Sequence, residues 1–260
     1  MKSWILELWK FRELLWAFTL KEVKIRYKQT ILGVAWAILQ PAVLTLILTI
    51  VFGIFLKVQS GTIPYPIFAY SALLPWTFFA TAISFGALSV VNNGGLVTKI
   101  YFPREVLPLA AVGAAFFDLL MASVIFILMI LFYKVPINVN ILYLVVIVPS
   151  LSFLTTGFSL VLSTLNVLFR DIRFIVPLVL QIWLYLSPVI YSQNQVPKKY
   201  QFFMKLNPVA PLIEGFRDVT VFGKSPDTLS LAIGVVVSIL IFLAGYWFFK
   251  SKERIFADVI

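Results

Sequence analysis

Residues 106–132 read VLPLAAVGAAFFDLLMASVIFILMILF, a run in which Asp118 is the one ionisable side chain. A helix needs roughly 20 apolar residues to cross the hydrocarbon core of a bilayer, so this run is long enough to span it. The rest of the chain is similar, since 61% of its 260 residues are hydrophobic, 12% are charged and the mean hydropathy is +1.00. A soluble domain carries roughly 25% charged residues. The composition therefore predicts a polytopic membrane protein and excludes a soluble enzyme, a disordered chain and a nucleic-acid-binding chain.

Other uncharged runs place five more candidate helices on either side of this one. They lie near Ile31–Leu56, Ile67–Val91, Ile141–Leu168, 174–191 and 228–249. We predict an all-α membrane protein with six transmembrane helices in residues 29–260, preceded by an interfacial segment at residues 1–28. An even number of spans puts both termini on one side of the membrane.

The basic residues indicate which side that is. Fourteen of the 21 Lys and Arg residues fall on the side of the two termini, ten of them in the terminal segments and four in the two short loops. Basic residues in short loops mark the cytoplasmic side of a membrane protein. We therefore expect both termini in the cytoplasm.

Residues 4–28 have the spacing of an amphipathic helix. Apolar side chains recur at i, i+4 and i+7 along one face, at Trp4, Leu8, Phe11, Leu15 and Phe18. Such a helix lies in the membrane interface, with its apolar face in the acyl boundary and its lysines among anionic head groups. It is either a topology anchor or a helix that braces a cytoplasmic partner or guides an anionic lipid. Glu22 and Arg26 interrupt the stripe at i, i+4 spacing, where they are predicted to pair.

The cytoplasmic loop NNGGLVTKIYFPR, at 92–104, is unusually apolar for a connection between helices. Asn-Asn-Gly-Gly is expected to end the second helix, and Pro103 restricts Phe102 from the helical region. Between these signals lie apolar side chains, at Leu96, Val97, Ile100, Tyr101 and Phe102. They either fold back under the bundle or form a knob that fits a groove on another protein.

The segment 192–228 is too charged and too rich in proline to span the membrane, yet too apolar for a free loop. Backbone at membrane depth must be helical or buried in protein. We therefore predict two short helices that dip into, or lie on, the extracytoplasmic face. They act either as an interfacial cap or as a re-entrant gate.

Few side chains are available for chemistry. The chain has no cysteine and no histidine, and no segment resembles a P-loop for ATP. Asp118 is either a proton- or ion-coupling group or a protonated hydrogen bond between helices, since no basic partner for it is apparent. Aromatic residues make up 16% of the chain, and several in the first and fifth spans are candidates to line a saccharide path: Phe52, Phe55, Trp183, Tyr185 and Tyr191.

Five segments also form a recognisable series in chain order. They are RYKQTILGVAWAILQP at 26–41, KIYFPREVLPLA at 99–110, NVLFRDI at 166–172, SPVIYS at 187–192 and NPVAPLIEGFRD at 207–218. Together they resemble the polysaccharide-export permeases of the ABC transporter type-2 class, which move O-antigen, capsular or teichoic-acid polymers. The likeness covers nearly the whole chain.

This resemblance implies the membrane subunit of an ATP-driven exporter in the bacterial inner membrane. Such a subunit forms a homodimer and binds two copies of a separate ATPase, so the chain is a channel-forming permease and not an enzyme. ATP and Mg belong to the partner, and no cofactor is expected in this chain. The resemblance also implies that the N-terminal helix and the second–third loop contact the ATPase, the loop through Leu96, Val97, Lys99, Tyr101, Phe102 and Arg104.

The implied cargo is a polyprenyl-diphosphate-linked glycan that enters from the cytoplasmic leaflet. The first and fifth spans are implied to border its conduit, and the fifth–sixth segment to form the outer gate. Its diphosphate would arrive near four basic residues, Arg26, Lys28, Arg170 and Arg173. The last two have a second interpretation, as partners of Asp171 or as topology signals.

Three other functions stay open at this point. A permease of the same class can export a small amphiphile or a lipid. An ion-coupled flippase would use Asp118. A membrane enzyme of lipid-linked sugar assembly would need clustered carboxylates, whereas the eleven Asp and Glu residues here are scattered.

Overall fold

The computed structural model describes residues 9–28, 30–197, 199–200, 204 and 206–259. The first half of the chain forms helices α1 (Arg12–Tyr27), α2 (Ala35–Leu48, continued by a wider turn over Thr49–Phe55), α3 (Tyr65–Asn92), α4 (Gly94–Val97) and α5 (Val106–Phe132). The second half forms α6 (Leu144–Leu168), α7 (Ile172–Leu186), α8 (Ala210–Arg217), α9 (Thr228–Lys252) and α10 (Phe256–Val259). The ordered elements of this part of the chain are helices, and none is a strand. The predicted all-α class is confirmed.

Five helices of the described chain are long and apolar enough to cross a membrane. They are Ala35–Phe55, Tyr65–Asn92, Val106–Phe132, Val139–Leu168 and Thr228–Ile255. The helix expected as a further span over 174–191 is α7, which has only 15 residues. At a rise of 1.5 Å per residue it is about 22 Å long, short of the hydrocarbon core. The protein is a multi-pass membrane protein, and the count of six spans stays a prediction.

The first span begins four residues later than its lack of charge indicates. Gly33 has a φ of 55°, a left-handed conformation that interrupts the chain before α2 starts at Ala35. Glycine tolerates this conformation because it has no Cβ. Charge alone therefore misses this break, which separates α1 from the first apolar span.

Helix α3 forms the centre of the bundle. Helices α5 and α6 pack along it, α2, α7 and α8 contact it as well, and α9 packs on α6. Small residues allow the close approach of α3 and α6, since a Cβ added to Gly86 would lie 2.7 Å from Cβ of Ser159. Membrane helices associate through such small residues because lipid provides no hydrophobic force between them.

Helix α1 packs along α5. A Cβ on Gly113 of α5 would lie 3.1 Å from Cγ2 of Thr19. Leu15 and Phe18, from the predicted apolar stripe, contact a buried cluster that includes Phe102. Part of the stripe is therefore half-buried against protein, and its placement in the membrane interface stays a prediction. Trp4 and Leu8 lie outside the described residues.

The segment 192–228 contains one of the two short helices that were predicted. Helix α8 packs against α3, and the wide turn Asp218–Phe222 that follows it ends at Gly223, whose φ is 62°. A second short helix would fall before α8, where residues 198, 201–203 and 205 lie outside the described chain. The re-entrant arrangement of this segment stays a prediction.

Candidate functional site

The loop between α3 and α5 divides its apolar side chains into a buried and an exposed set. Val97 and Phe102 are 3% and 6% exposed, and the Phe102 ring stacks on Phe18 of α1 at 5.9 Å. In contrast, Ile100 is 58% and Tyr101 is 90% exposed. Each of the two interpretations of this loop therefore holds for one part of it. Val97 and Phe102 pack under the bundle, whereas Ile100 and Tyr101 project away from it.

The six predicted docking residues separate in the same way. Lys99 and Tyr101 are exposed, and Leu96 and Arg104 are half-buried. Val97 and Phe102 belong to the core beneath the loop. The turn Lys99–Tyr101, which we call the exposed turn, contains the exposed residues among the predicted docking set.

Residues near the C-terminus, Lys250 and Glu253, bind the end of this loop at Arg104 and Glu105, and we call this set of contacts the brace. Lys250 Nζ lies 2.7 Å from Glu105 Oε2 and 2.9 Å from Glu253 Oε2, and the Arg104 backbone N–H donates to Glu253 Oε1 at 3.2 Å. The Arg104 guanidinium also donates to the Glu253 carbonyl. Burial raises the pKa of the Glu105 carboxyl, although Lys250 opposes that shift. Arg104 is therefore held by this chain's own C-terminal end.

An aromatic side chain completes the brace. Phe256 of α10 is fully buried, and its ring packs edge-on against Phe249 at 5.2 Å. Its cluster includes Val97 and Phe102, the buried part of the loop. This contact was not predicted from the sequence, where its local signal is the pair of opposite charges three residues apart at Lys250 and Glu253.

A second contact attaches the end of α1 to the middle of α5. Arg26 Nη1 lies 2.5 Å from Asp118 Oδ2, and the Tyr27 hydroxyl donates to Asp118 Oδ1 at 2.6 Å. The guanidinium also lies over the Phe85 ring, 3.9 Å from its centroid. Burial, reinforced by the hydrogen bond to Asp118, raises the pKa of the Tyr27 hydroxyl. Asp118 thus has a basic partner, which corrects the expectation that it had none, and Arg26 pairs with it rather than with Glu22.

The other basic residues predicted at the diphosphate entry lie at two places. Lys28 is exposed at the end of α1. Arg170 and Arg173 are also exposed, and they line a cavity of about 270 Å³ at the ends of α3 and α6. Asn92 and Asn166 line the same cavity. These two amides were not predicted as site residues, although Asn166 lies in the recognisable segment NVLFRDI.

The predicted conduit residues have different surroundings. The Trp183 ring packs between Phe79 and Phe158 at 5.2 and 5.5 Å, and its indole N–H donates to Asn207 Oδ1 at 2.9 Å. Phe52 packs against the core, and Tyr191 is half-buried and donates its hydroxyl to the Tyr185 carbonyl at 2.7 Å. Phe55 and Tyr185 are 73% and 56% exposed. These last two are the predicted conduit rings most open to another molecule.

A larger cavity of about 470 Å³ lies between α8 and α9, at the end of the bundle away from the loop 92–104. Glu214, Arg217 and Asp218 line it, together with residues at the start of α9. Arg217 is 3% exposed and donates to the carbonyls of Pro188 and Val189 at 2.8 and 2.9 Å. Burial raises the pKa of Glu214 to about 7 and lowers the pKa of Arg217 to about 10. Arg217 therefore anchors α8 to the irregular chain that follows α7.

The fold and these contacts define the class of protein. Apolar helices surround α3, an exposed turn and a basic cavity lie at one end, and the described residues include no group of three or more His, Cys, Asp or Glu that could hold a metal. This is the architecture of a multi-pass helical membrane protein.

Sequence comparison identifies the family. The chain belongs to the ABC-2 type transporter family, whose profile matches residues 13–221. It is 30% identical to the O-antigen export system permease protein RfbA of Myxococcus xanthus over 98% of each chain. It is 29% identical to the protein of the same name from Klebsiella pneumoniae over 95% of each chain. It is 24% identical to the polysialic acid transport protein KpsM of Escherichia coli, over 92% of this chain and 93% of that one.

Proposed function

We propose that the chain is the membrane subunit of an ATP-driven exporter that moves a polyprenyl-diphosphate-linked polysaccharide of the O-antigen type. Transport runs from the cytoplasm across the bacterial inner membrane, with both termini of the chain in the cytoplasm. Family membership supports the transporter class, and the relatives named for O-antigen and polysialic acid support the cargo. The structural observation that carries the proposal is the 90% exposed Tyr101 on a loop whose other aromatic side chain is buried.

In this proposal a separate ATPase, bound in two copies, supplies the work. Its ATP and Mg lie outside this chain. The exposed turn Lys99–Tyr101 docks on the ATPase, while Val97 and Phe102 join the turn to the core under α3, α5 and α9. A partner shifts the equilibrium between two conformations only through contacts that differ between them. The brace at Glu105 and Lys250 keeps the turn and the membrane helices moving as one body.

Two copies of the chain form the conduit in this proposal. The span Ala35–Phe55 and helix α7 border it, with the rings of Phe55 and Tyr185 open toward the cargo. Aromatic faces suit the C–H faces of sugars, and the Tyr hydroxyl adds a polar contact. The diphosphate arrives at Arg170 and Arg173 in this proposal, and Lys28 contributes a positive charge at the end of α1. Arg26 contributes through its ion pair with Asp118 and not as a free cation.

Changing Tyr101 to Asp tests the docking surface. The substitution puts a charge into an apolar contact, so we expect the ATPase no longer to co-purify with the permease and polymer export to be lost. Because Tyr101 is 90% exposed, the permease itself should fold as well as wild type. The measurements are co-purification of the cognate ATPase subunit, export of polymer and thermal unfolding in detergent.

The matched control is Ile137→Asp, which charges a side chain that is 68% exposed between α5 and α6. It should leave ATPase binding and export unchanged. Phe102→Asp is a poor test because it charges a buried ring and unfolds the loop. If Tyr101→Asp keeps both ATPase binding and export, the docking surface lies elsewhere.

Transport of the glycan itself is tested in vesicles that contain the permease and its ATPase. Uptake of lipid-linked glycan in the presence of ATP, with none for small amphiphiles or for lipids without sugar, is the expected result. Transport of the amphiphiles alone would identify an exporter of the same class with a different cargo.

A further inference from the structure

The brace contains a partly buried network of charges in which one cation serves two carboxylates. Lys250 Nζ lies within 3 Å of both Glu105 Oε2 and Glu253 Oε2, and the Glu105 side chain is 1% exposed. The second oxygen of Glu105, Oε1, is buried and has no hydrogen-bond partner in the part of the chain that the structure describes. Buried ion pairs cost so much desolvation that apolar replacements often stabilise a protein. Stability alone therefore does not explain why these charges occupy this position.

The network joins the loop that carries the exposed turn to the last span. Glu105 directly precedes α5, whereas Lys250 lies in the last turn of α9 and Glu253 directly follows that helix. The Arg104 backbone N–H donates to Glu253 Oε1 as well, at 3.2 Å. The loop is thus bound to α9 by charged contacts, in addition to its covalent connection to α5.

Apolar contacts hold the two sides of the brace in one orientation. Phe249 and Phe256 are both fully buried, and their rings meet edge-on at 5.2 Å. Val97 and Phe102, on either side of the exposed turn, belong to the same cluster. A lysine side chain is flexible and would by itself allow the two sides to pivot, whereas closely packed rings resist such a movement. The exposed turn and the end of α9 therefore form one rigid unit.

Helix α9 is in turn closely packed on the centre of the bundle. It packs on α6, which packs along α3. A Cβ on Gly245 of α9 would lie 2.5 Å from the carbonyl oxygen of Gly157 on α6, so the two backbones are in direct contact. Gly245 precedes Lys250 by five residues, about 7.5 Å along the helix. Because no flexible side chain separates the backbones there, a displacement of the end of α9 is passed to α6.

We propose that Lys250 and Glu253 are positioning residues for transport, which transmit movement of the exposed turn to α9 and through it to α6 and α3. The inference rests on the proposed function and deepens it, because it names the route by which a docked ATPase acts on the membrane helices. Charged contacts suit this role, since an ion pair fixes the relative position of its partners more closely than an apolar contact does. The unused oxygen of Glu105 offers an acceptor for a second arrangement of the same cations, as a change between two conformations requires.

The first experiment measures coupling in vesicles that contain the full-length permease and its ATPase. The double variant Glu105→Gln with Lys250→Met removes both charges of the buried pair, so neither is left uncompensated and the fold should be kept. Binding of the ATPase and its KM for ATP should match those of wild type, because the exposed turn is unchanged. The amount of polymer exported per ATP hydrolysed should fall at least about fivefold, the lower end of typical coupling between sites.

Two single variants serve as controls for the double variant. Lys250→Arg keeps a positive charge that can bind both carboxylates, so it should export as much polymer per ATP as wild type. Lys252→Met removes a positive charge from an exposed side chain two residues further on, and it should also leave the ratio unchanged.

Distances within the permease test the rigid unit without cargo or ATPase. Because the chain has no cysteine, spin labels can be placed on Ile100→Cys in the exposed turn and Trp247→Cys on α9, at side chains that are 58% and 73% exposed. In nanodiscs, the labelled protein with an intact brace should give one narrow distribution of distances between the labels. The same labels in the double variant should give a broader or shifted distribution.

Each outcome decides the proposal. Equal distance distributions with and without the brace overturn it, and so does loss of ATPase binding in the double variant, which would show that the brace shapes the docking surface instead. If wild type exports glycan and the double variant exports as much per ATP, the positioning role fails and the proposed function stands. If wild type exports no glycan with its ATPase but the label distances still differ, the proposed function fails and the rigid link between the exposed turn and α9 stands.

Discussion

At the scale of single residues, the contact between Arg26 and Asp118 changes the interpretation of Asp118, the ionisable residue in the third predicted span. An isolated carboxylate at that depth indicates ion coupling, because its burial is otherwise too costly. The Arg26 guanidinium and the Tyr27 hydroxyl both bind it, so the charge is compensated within the chain. This pairing argues against an ion-coupled flippase and gives Asp118 a role in holding α1 against α5.

Breaking this pair should destabilise the protein strongly. Arg26→Ala or Asp118→Asn leaves one partner buried without the other, and we expect a loss of about 3–5 kcal/mol in the free energy of unfolding. Exchange of the two residues, Arg26→Asp with Asp118→Arg, should restore most of that loss. Unfolding of the purified variants in detergent measures both effects.

The control for this prediction lies on the same helix. Arg12 and Glu13 form an exposed pair at 4.0 Å, and Arg12→Ala should cost no more than about 1 kcal/mol. An Asp118→Asn variant that is as stable as wild type but exports nothing would contradict the structural role and favour ion coupling.

At the scale of helices, the packing of α6 on α9 depends on two glycines. A Cβ on Gly245 would lie 2.5 Å from the carbonyl oxygen of Gly157, and a Cβ on Gly157 would lie 2.7 Å from the backbone of Ile241. Backbone is on both sides of this contact, so neither helix can relieve a clash by changing a rotamer. The close packing of α9 on α6 therefore requires glycine at both positions.

Gly245→Ala should separate these helices and lower the stability of the protein. Overpacking of a close contact costs about 1–3 kcal/mol, and here the clash is with backbone. Thermal unfolding in detergent is the measurement. Gly95→Ala serves as the control, since a Cβ at Gly95 has nothing within 4 Å, and it should not lower stability. Equal stability of the two variants would show that the helices do not cross at this point.

At the scale of the whole molecule, we predict that α7 faces a second copy of the chain. Only Val176 and Leu180 of α7 are buried, and its length of 15 residues falls short of a span. Its neighbour across the proposed conduit, the span Ala35–Phe55, is also largely uncovered. A homodimer in which these elements meet would complete the pathway that one chain leaves open.

Disulfide cross-linking tests this dimer directly, because the chain has no cysteine of its own. Leu178→Cys on α7 should give a cross-linked dimer on mild oxidation in membranes. Leu240→Cys on α9 is the matched control, with 58% exposure against 59% for Leu178, and should stay monomeric. Equal cross-linking at both positions, or a monomeric mass for the purified protein, would contradict the proposed arrangement.

The candidate sites were predictable only in part. The loop 92–104 stands out because apolar side chains are rare in cytoplasmic connections, and Arg170 and Arg173 stand out as paired charges at a turn. The asparagine that shares a cavity with Arg170 and Arg173 was not predictable, because Asn166 is one of many polar residues in an apolar run. Glu253 and Phe256 both contact Arg104, which lies about 150 positions earlier in the chain. No local sequence pattern predicts a contact over that separation.

The sequence by itself determined that this protein lies in a membrane, that it is helical and which family it belongs to. Those conclusions follow from composition, from the length of uncharged runs and from local motifs, which are properties of neighbouring residues. Only the tertiary structure decided that Asp118 is paired, that Phe102 is buried while Tyr101 is exposed, and that two asparagines meet two arginines in one cavity. Each of these depends on which helix faces which, and that choice arises from small residues and side-chain geometry distributed over the whole chain.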